Sequence, residues 1–284
     1  MMNPLFCLCK SHDLDGIEYF FNNEFVYKHD YEYAFLGACA GGHIDLVERF
    51  EFVATPMNDI IHRQIAMSNA CEGGHIDVVE WLLKKGCVLN RHLSGHVFQS
   101  GNWDFVHWFV EKYEVKWKSA LRGACASGDI KLVHFALEHG AISYNYAFGD
   151  ACESGNIKIV ECLINLGAKH WNRGLIGAAV NGHIDIIKCM VEHGASAFSL
   201  ALHYAACNNQ LEVIKYFVEK NFSGVDSSYF NYAFCMAASC NNNNTACYLM
   251  ECGADDYLCA GKFSHLFFDT RIIQLDDCGS YQHY

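Results

Sequence analysis

The sequence predicts an all-α solenoid of stacked helix-turn-helix repeats, and three observations predict it. One short segment is written five times, as CAGGHIDLVERF, CEGGHIDVVEWLLKKG, CASGDIKLVHFALEHGA, CESGNIKIVECLINLGA and VNGHIDIIKCMVEHGA. An anchor glycine holds these copies in register at Gly42, Gly74, Gly101, Gly128, Gly155 and Gly182, continued by Asn209 and more weakly by Asn241, with every step from Gly74 to Asn209 being 27 residues. Apolar residues then follow each anchor at helical rather than alternating spacing. One helix pair of this length cannot bury both of its faces, so the repeats must stack.

Taken in order, the chain opens on a degenerate repeat around His12, CLCKSHDLDGIEYFF. The steps Gly42 to Gly74 and Asn209 to Asn241 are each 32 residues, the excess lying in FVATPMNDIIHRQ and NFSGVDSSYFN, which read as loop insertions. About nine repeats result, with atypical ones at the ends as capping requires. We expect a single repeat domain over 1–284: a capping segment at 1–31, repeats over 32–254, and a C-terminal cap and tail at 255–284 with a helix over LFFDTRIIQL.

Within a repeat, apolar residues stand two, four, five and eight positions after the anchor, as in Ile157, Ile159, Val160 and Leu163, which marks one face of a helix. The residue after the anchor is mostly His, Asn, Asp or Gln, and it reads as an N-cap. Acidic residues two further on (Asp45, Asp77, Asp104, Asp185, Glu212) suit the positive end of the helix dipole. Gly86, Gly140, Gly167 and Gly194 read as C-cap glycines closing that helix. A shorter helix precedes the anchor. Alanine recurs on it eight positions ahead (Ala34, Ala66, Ala120, Ala147, Ala201, Ala233), with further small residues four and three ahead, and small side chains let neighbouring helices approach closely.

These residues resemble ankyrin repeats, whose run of paired small residues, Gly-His, Leu-Glu-Val-Val and closing Gly-Ala is similar to GACASGDIKLVHFALEHGA here, over roughly residues 5–254. The usual repeat is about 33 residues and opens a β-hairpin finger on T-P-L-H. That motif is absent, and Gly140 to Gly155 spans only fifteen residues. The resemblance therefore implies an ankyrin-like solenoid with truncated β-hairpin fingers. Clipped repeats rich in Cys, Asn and Tyr look like those encoded by large DNA viruses and protists. Family members commonly bind proteins through the finger tips and the first helices.

Composition narrows the partners. A formal charge of -12, from 32 acidic and 20 basic residues, repels a phosphate backbone, so nucleic acid is not an expected partner. No apolar run reaches the roughly 18 to 20 residues that cross a bilayer, and the opening MMNPLFCLCKSHDLDG meets charge too early for a signal peptide. A monomeric cytoplasmic protein is expected, in the host cytoplasm if the chain is viral.

No residues announce chemistry. Sixteen cysteines occur without a CxxC pair, and those three positions before the anchor (Cys9, Cys39, Cys71, Cys125, Cys152) interchange with Ala179 and Ala206, as small core residues do. Stacked helices lie about 8 to 10 Å apart, too far for thiols in that register to bridge neighbouring repeats. His43, His75 and His183 follow the anchor in register and read as neutral rings at a helix start. Cys235, Cys240, Cys247, Cys252 and Cys259 are less regular. With His265 they leave a zinc site as the alternative, and a metal- or redox-active protein as the competing class. A P-loop, a dinucleotide fingerprint and a credible Cys/His nucleophile pair are absent, so we expect neither enzyme activity nor a cofactor. A module whose asparagines are hydroxylase substrates is a third reading.

Candidate contact residues come from two registers. Eleven positions before the anchor stand Tyr31, Trp117, Tyr144, Trp171, Phe198 and Phe230, with Tyr33, Tyr146 and Tyr232 two places on. These rings either cover the first helix of the next repeat or line a binding edge, where aromatic residues are favoured anchors. Glu72 and Glu153 stand two before their anchors and Arg122 six before its own. The expected function is an interaction scaffold or adaptor that binds a partner protein, a host protein among them, through the concave face of the array.

Overall fold

The computed structural model describes residues 3–24, 27–51, 60–89, 91–220 and 227–254. Among them are eighteen α-helices and no strand. The chain divides into two compact bodies, residues 1–143 and 144–284.

In the N-terminal body five helix pairs follow one another: α1 (Pro4–Lys10) with α2 (Leu14–Asn23), α3 (Lys28–Gly41) with α4 (Ile44–Glu51), α5 (Ile60–Gly73) with α6 (Ile76–Lys84), α7 (Ser94–Gln99) with α8 (Trp103–Lys112), and α9 (Trp117–Ser127) with α10 (Ile130–Glu138). Four pairs form the C-terminal body: α11 (Tyr144–Ser154) with α12 (Ile157–Asn165), α13 (Trp171–Asn181) with α14 (Ile184–Glu192), α15 (Phe198–Cys207) with α16 (Leu211–Lys220), and α17 (Ser227–Ser239) with α18 (Asn243–Glu251). Within each body successive first helices pack on one another, as α7 does on α9 and α11 on α13. The all-α helix-turn-helix solenoid is what the sequence predicts.

Every anchor turns between the two helices of its pair in left-handed backbone: His12 (φ 56°), Gly42 (77°), Gly74 (75°), Gly101 (69°), Gly128 (71°), Gly155 (80°), Gly182 (82°), Asn209 (56°) and Asn241 (59°). Glycine, and next to it asparagine, adopts that region at least cost, so the register of the repeat is a register of backbone need. The second helices close in the same way. Gly86, Gly140, Gly167, Gly194 and Gly253 all have φ between 83° and 100°. After each, a buried small residue bonds back, as Ala168 N–H does to the Leu163 carbonyl while Gly167 N–H meets that of Ile164, both at 2.9 Å. This is a Schellman cap.

The residue after the anchor does something its sequence context does not disclose. His43 Nε2 lies 3.1 Å from the Lys10 carbonyl, His75 Nε2 3.2 Å from that of Ala40, and His183 Nε2 3.0 Å from that of Glu153. A carbonyl oxygen can only accept, so each ring donates from Nε2. Asn102, Gln210 and Asn242 make the same reach, to the carbonyls of Gly74, Val180 and Ala206 at 3.1, 3.2 and 2.8 Å. Each contact ties one repeat to the end of the preceding first helix. The expectation of N-caps is therefore corrected for the histidines: His75 and His183 make no capping hydrogen bond. Asn102, Asp129 and Asn156 do cap, accepting from the backbone of Phe105, Lys131 and Lys158. Asn102 does both, its Nδ2 donating to the preceding repeat while its Oδ1 accepts from its own helix, and Asn242 reaches the neighbour without capping.

The core lies between the rows. Positions four, five and eight after the anchor are buried in the eight repeats anchored from Gly42 to Asn241, for example Val78, Val79 and Leu82, or Ile186, Ile187 and Met190, whereas in the first repeat only Ile17 is. Ile157, two after its anchor, is 38% exposed and only borders this core. Thr245 takes the fourth position of the last repeat, and its hydroxyl donates to the Asn209 side chain at 2.9 Å. First helices meet through glycine: a Cβ on Gly123 would collide with the Gly95 carbonyl oxygen, and one on Gly177 with that of Gly149.

Two sequence expectations concern the joints. Fingers are replaced by short loops, such as residues 139–143 before α11 and 166–170 before α13. Asparagines at the start of the preceding first helix brace the later ones: Asn145 Oδ1 accepts from Lys169 N–H at 2.7 Å, and Asn172 Oδ1 from Ser196 and Ala197 at 2.6 and 3.1 Å. The supposed loop insertions are in part helix, because α5 and α17 begin fourteen positions before their anchors where α11 and α13 begin eleven before. The remainder of both insertions, and the expected cap and helix at 255–284 with Cys259 and His265, lie outside the described residues.

Candidate partner-binding face

The aromatic register eleven before the anchor is structural at its base. Trp117, Tyr144, Trp171 and Phe198 are the first residues of α9, α11, α13 and α15, and all are half-buried. The Trp117 ring stacks on His139 at 4.4 Å and meets Phe98 and Phe135 edge-on at 6.0 Å. Trp171 does likewise with His193 at 4.5 Å and Phe148 at 5.6 Å. Tyr31 stacks on Phe21 at 5.2 Å, and Phe198 meets Phe217 at 5.9 Å. These contacts run to the end of the ring's own second helix and back to the preceding repeat. Phe230 is half-buried within α17. Trp171 also faces outward, lining an open groove with Lys169, His170, Asn172, Arg173 and Gly194.

Two positions further along, the register comes into the open. In the C-terminal body Tyr146, Leu200 and Tyr232 are 51%, 51% and 53% exposed. Arg173, on the intervening helix, is exposed and sits 3.9 Å from Asp150. One exposed row thus runs across α11, α13, α15 and α17, and Tyr204 on α15 adds to it. In the N-terminal body the same register holds exposed Tyr33 and Ile65. Tyr146 and Tyr232 were visible in the sequence as companions of the buried ladder. Leu200, Tyr204 and Arg173 were not singled out, although counting nine back from Asn209 and Gly182 reaches Leu200 and Arg173.

The polar candidates are placed on first helices and already have work. Glu72 accepts a hydrogen bond from His96 Nδ1 at 2.6 Å, and this bond holds its carboxyl below the ordinary carboxylate range. The backbone carbonyl of Glu153 receives both Asn181 Nδ2 at 2.8 Å and the His183 ring, leaving its side chain exposed. Arg122 is exposed on α9.

The cysteines before the anchor are buried: Cys9, Cys39, Cys71, Cys125 and Cys152 have no exposed surface. Burial pushes the thiols of Cys9 and Cys71 up to about 12 and those of Cys39 and Cys152 upward as well. They are protonated at neutral pH and pack as small apolar groups. Among the described residues no three His, Cys, Asp or Glu side chains are grouped to hold a metal ion.

Stacked helix pairs with buried thiols, left-handed anchors and an exposed side-chain row define a repeat scaffold. Residues 175–258 match the family model for ankyrin repeats, in three copies, and the same left-handed anchors continue on the N-terminal side of that match. No curated protein matches the sequence. Ankyrin repeats are protein–protein interaction modules. No described helix is long and apolar enough to cross a membrane.

Proposed function

We propose that the protein is a non-enzymatic interaction scaffold whose partner protein docks on the first helices of the C-terminal body. The observation that carries this reading is the exposed row Tyr146, Arg173, Leu200 and Tyr232. Exposed tyrosine and leucine side chains in one register, with an arginine among them, are what a docking surface needs. The groove beside Trp171 extends the surface with Lys169 and His170. A monomeric chain acting in the cytoplasm, with a host protein as partner, completes the proposal.

Site-specific photo-crosslinking tests it. A benzophenone side chain placed at Tyr146 or Tyr232 in cells should yield a discrete protein adduct, whereas one at Leu166, comparably exposed at 41% but at the end of α12, should not. Adducts at Leu166 alone, or equal adducts at all three positions, would overturn the assignment of the face.

A further inference from the structure

The start of α13 carries a cationic groove that the repeat framework does not require. Lys169, His170, Trp171, Asn172, Arg173 and Gly194 line an open groove of about 390 Å³ within the C-terminal body. That volume is near the lower end of the roughly 300–1,000 Å³ of ligand clefts, and an open groove of this size suits side chains of a docked polypeptide better than an enclosed small molecule. Fourteen positions after the anchors from Gly74 to Gly182 stand Val88, Val115, Ile142, Lys169 and Ser196. Nine before the later anchors stand Tyr146, Arg173, Leu200 and Tyr232. One repeat alone in these registers brings a lysine and an arginine together.

The walls of the groove are fixed in advance. Asn145 Oδ1 accepts from Lys169 N–H at 2.7 Å, and Asn172 Oδ1 from Ser196 and Ala197 N–H at 2.6 and 3.1 Å, so the loops on either side are tied to first helices. The Trp171 ring is held by His193 at 4.5 Å and Phe148 at 5.6 Å. Arg173 lies across Gly149, where a Cβ would strike its Nε and Cγ. Asp150 Oδ1 stands 3.9 Å from its Nη2, the outer limit of an ion pair. That carboxylate aims the guanidinium without neutralising the groove, to which exposed Lys169 adds a second cation. His170 makes no capping hydrogen bond to α13, which leaves its ring to the groove, and the helix start adds positive potential.

We propose that this groove receives an acidic segment of the partner protein, Lys169 and Arg173 meeting its carboxylates, His170 donating a ring N–H, and Trp171 packing on an apolar side chain next to them. The proposal rests on the docking face described above and names the chemistry that this face selects. Charge complementarity carries it. With 32 acidic against 20 basic residues, the chain as a whole repels an acidic polypeptide, so a local cationic groove decides where such a segment can bind. A guanidinium holds a carboxylate through two parallel N–H donors, and tryptophan beside arginine is a favoured pair of anchors at interfaces. Walls already in place lower the ordering cost of binding.

The test uses the full chain and two rhodamine-labelled peptides, one alternating glutamate with leucine and one with glutamine in place of every glutamate, read by fluorescence anisotropy. The glutamate peptide should bind saturably and more weakly in high salt, and the glutamine peptide should not bind. The double variant Lys169→Glu with Arg173→Glu should weaken binding by at least about tenfold. Lys158→Glu, which reverses an exposed lysine at the start of α12, should stay within about twofold. Circular dichroism melts establish that the variants remain folded. The proposal fails if the glutamate peptide does not bind, if both peptides bind equally, or if Lys158→Glu loses as much as the double variant. Tighter binding of a uridine oligonucleotide through the same residues would mark a phosphate surface and overturn the assignment as well. Crosslinking separates the groove from the face. Partner adducts at Tyr146 and Tyr232 that persist at wild-type yield in the double variant would leave the face standing and sink the groove, whereas groove-dependent peptide binding in a chain that gives no such adducts would sink the face alone.

Discussion

Replacing Gly155 by alanine separates two reasons for an anchor glycine. The first is conformational: at φ 80° an L-residue is strained by roughly 1–2 kcal/mol. The second comes from the next repeat, because a Cβ at Gly155 would strike the His183 ring, whose Nε2 donates to the Glu153 carbonyl. Displacing that ring removes a hydrogen bond worth about 1 kcal/mol net. The expected total is about 2–3 kcal/mol. Gly167 isolates the first term: its φ is 96°, yet nothing lies within 4 Å of an added Cβ. Gly167→Ala should therefore cost only about 1–2 kcal/mol. Urea unfolding of the full chain, followed by circular dichroism, measures both variants. A double-mutant cycle decides the mechanism, since with His183→Ala already present the Cβ has space and Gly155→Ala should lose its extra cost. The coupling should reach about 1 kcal/mol, with the double variant less destabilised than the sum of the singles. Equal costs at Gly155 and Gly167, or strict additivity in the cycle, would refute the reasoning.

Other outcomes follow from the same geometry. Trp171→Ala should weaken the fold by about 2–3 kcal/mol, because its ring packs on His193 and Phe148. Tyr146→Ala, at 51% exposure, should stay within about 0.5 kcal/mol in the same unfolding assay while abolishing partner capture. Cys39, Cys71, Cys125 and Cys152, without exposed surface, should resist a thiol reagent until the chain unfolds. Exposed Cys7 and Cys240 should be labelled at once, and labelling of native Cys71 would contradict the packing. Glu72 has a folded pKa depressed by His96, so its contribution is present above the unfolded carboxylate value and is lost as pH falls through the folded one. At 42% exposure of the side chain solvent screening limits this to a few tenths of a kcal/mol. Glu72→Gln should flatten that part of the acid limb in urea midpoints measured across it.

The repeat was legible because backbone need writes itself into residue type. A left-handed turn selects glycine or asparagine, so Gly42 through Asn241 could be found by counting, and the short loops followed from the distance between Gly140 and Gly155. What joins one repeat to the next was not legible. A histidine after a glycine reads as a helix cap because the sequence offers only local partners, whereas Ala40 is thirty-five positions from His75. The candidate face shows the same limit. Periodicity located Tyr144 and Tyr146 in neighbouring registers without telling which would be covered, and only packing leaves Tyr146 open.

The division of labour within one repeat bears on the interaction reading. Framework demands fall on fixed registers: the anchor is left-handed, the residue after it reaches the preceding repeat or caps its own helix, and positions four, five and eight after it fill the core from the second repeat onward. The residue nine before the anchor answers to none of these. There the C-terminal body carries Tyr146, Arg173, Leu200 and Tyr232, unlike in charge and shape yet all on the exposed side of a first helix. A side chain that meets mainly solvent can change with little effect on stability, so such a row is where a repeat scaffold can take on a partner without disturbing its own stacking. Exposed tyrosine and leucine are poor choices if solubility alone governs that row, since polar residues would serve as well. Their presence in this register supports a surface kept for contact.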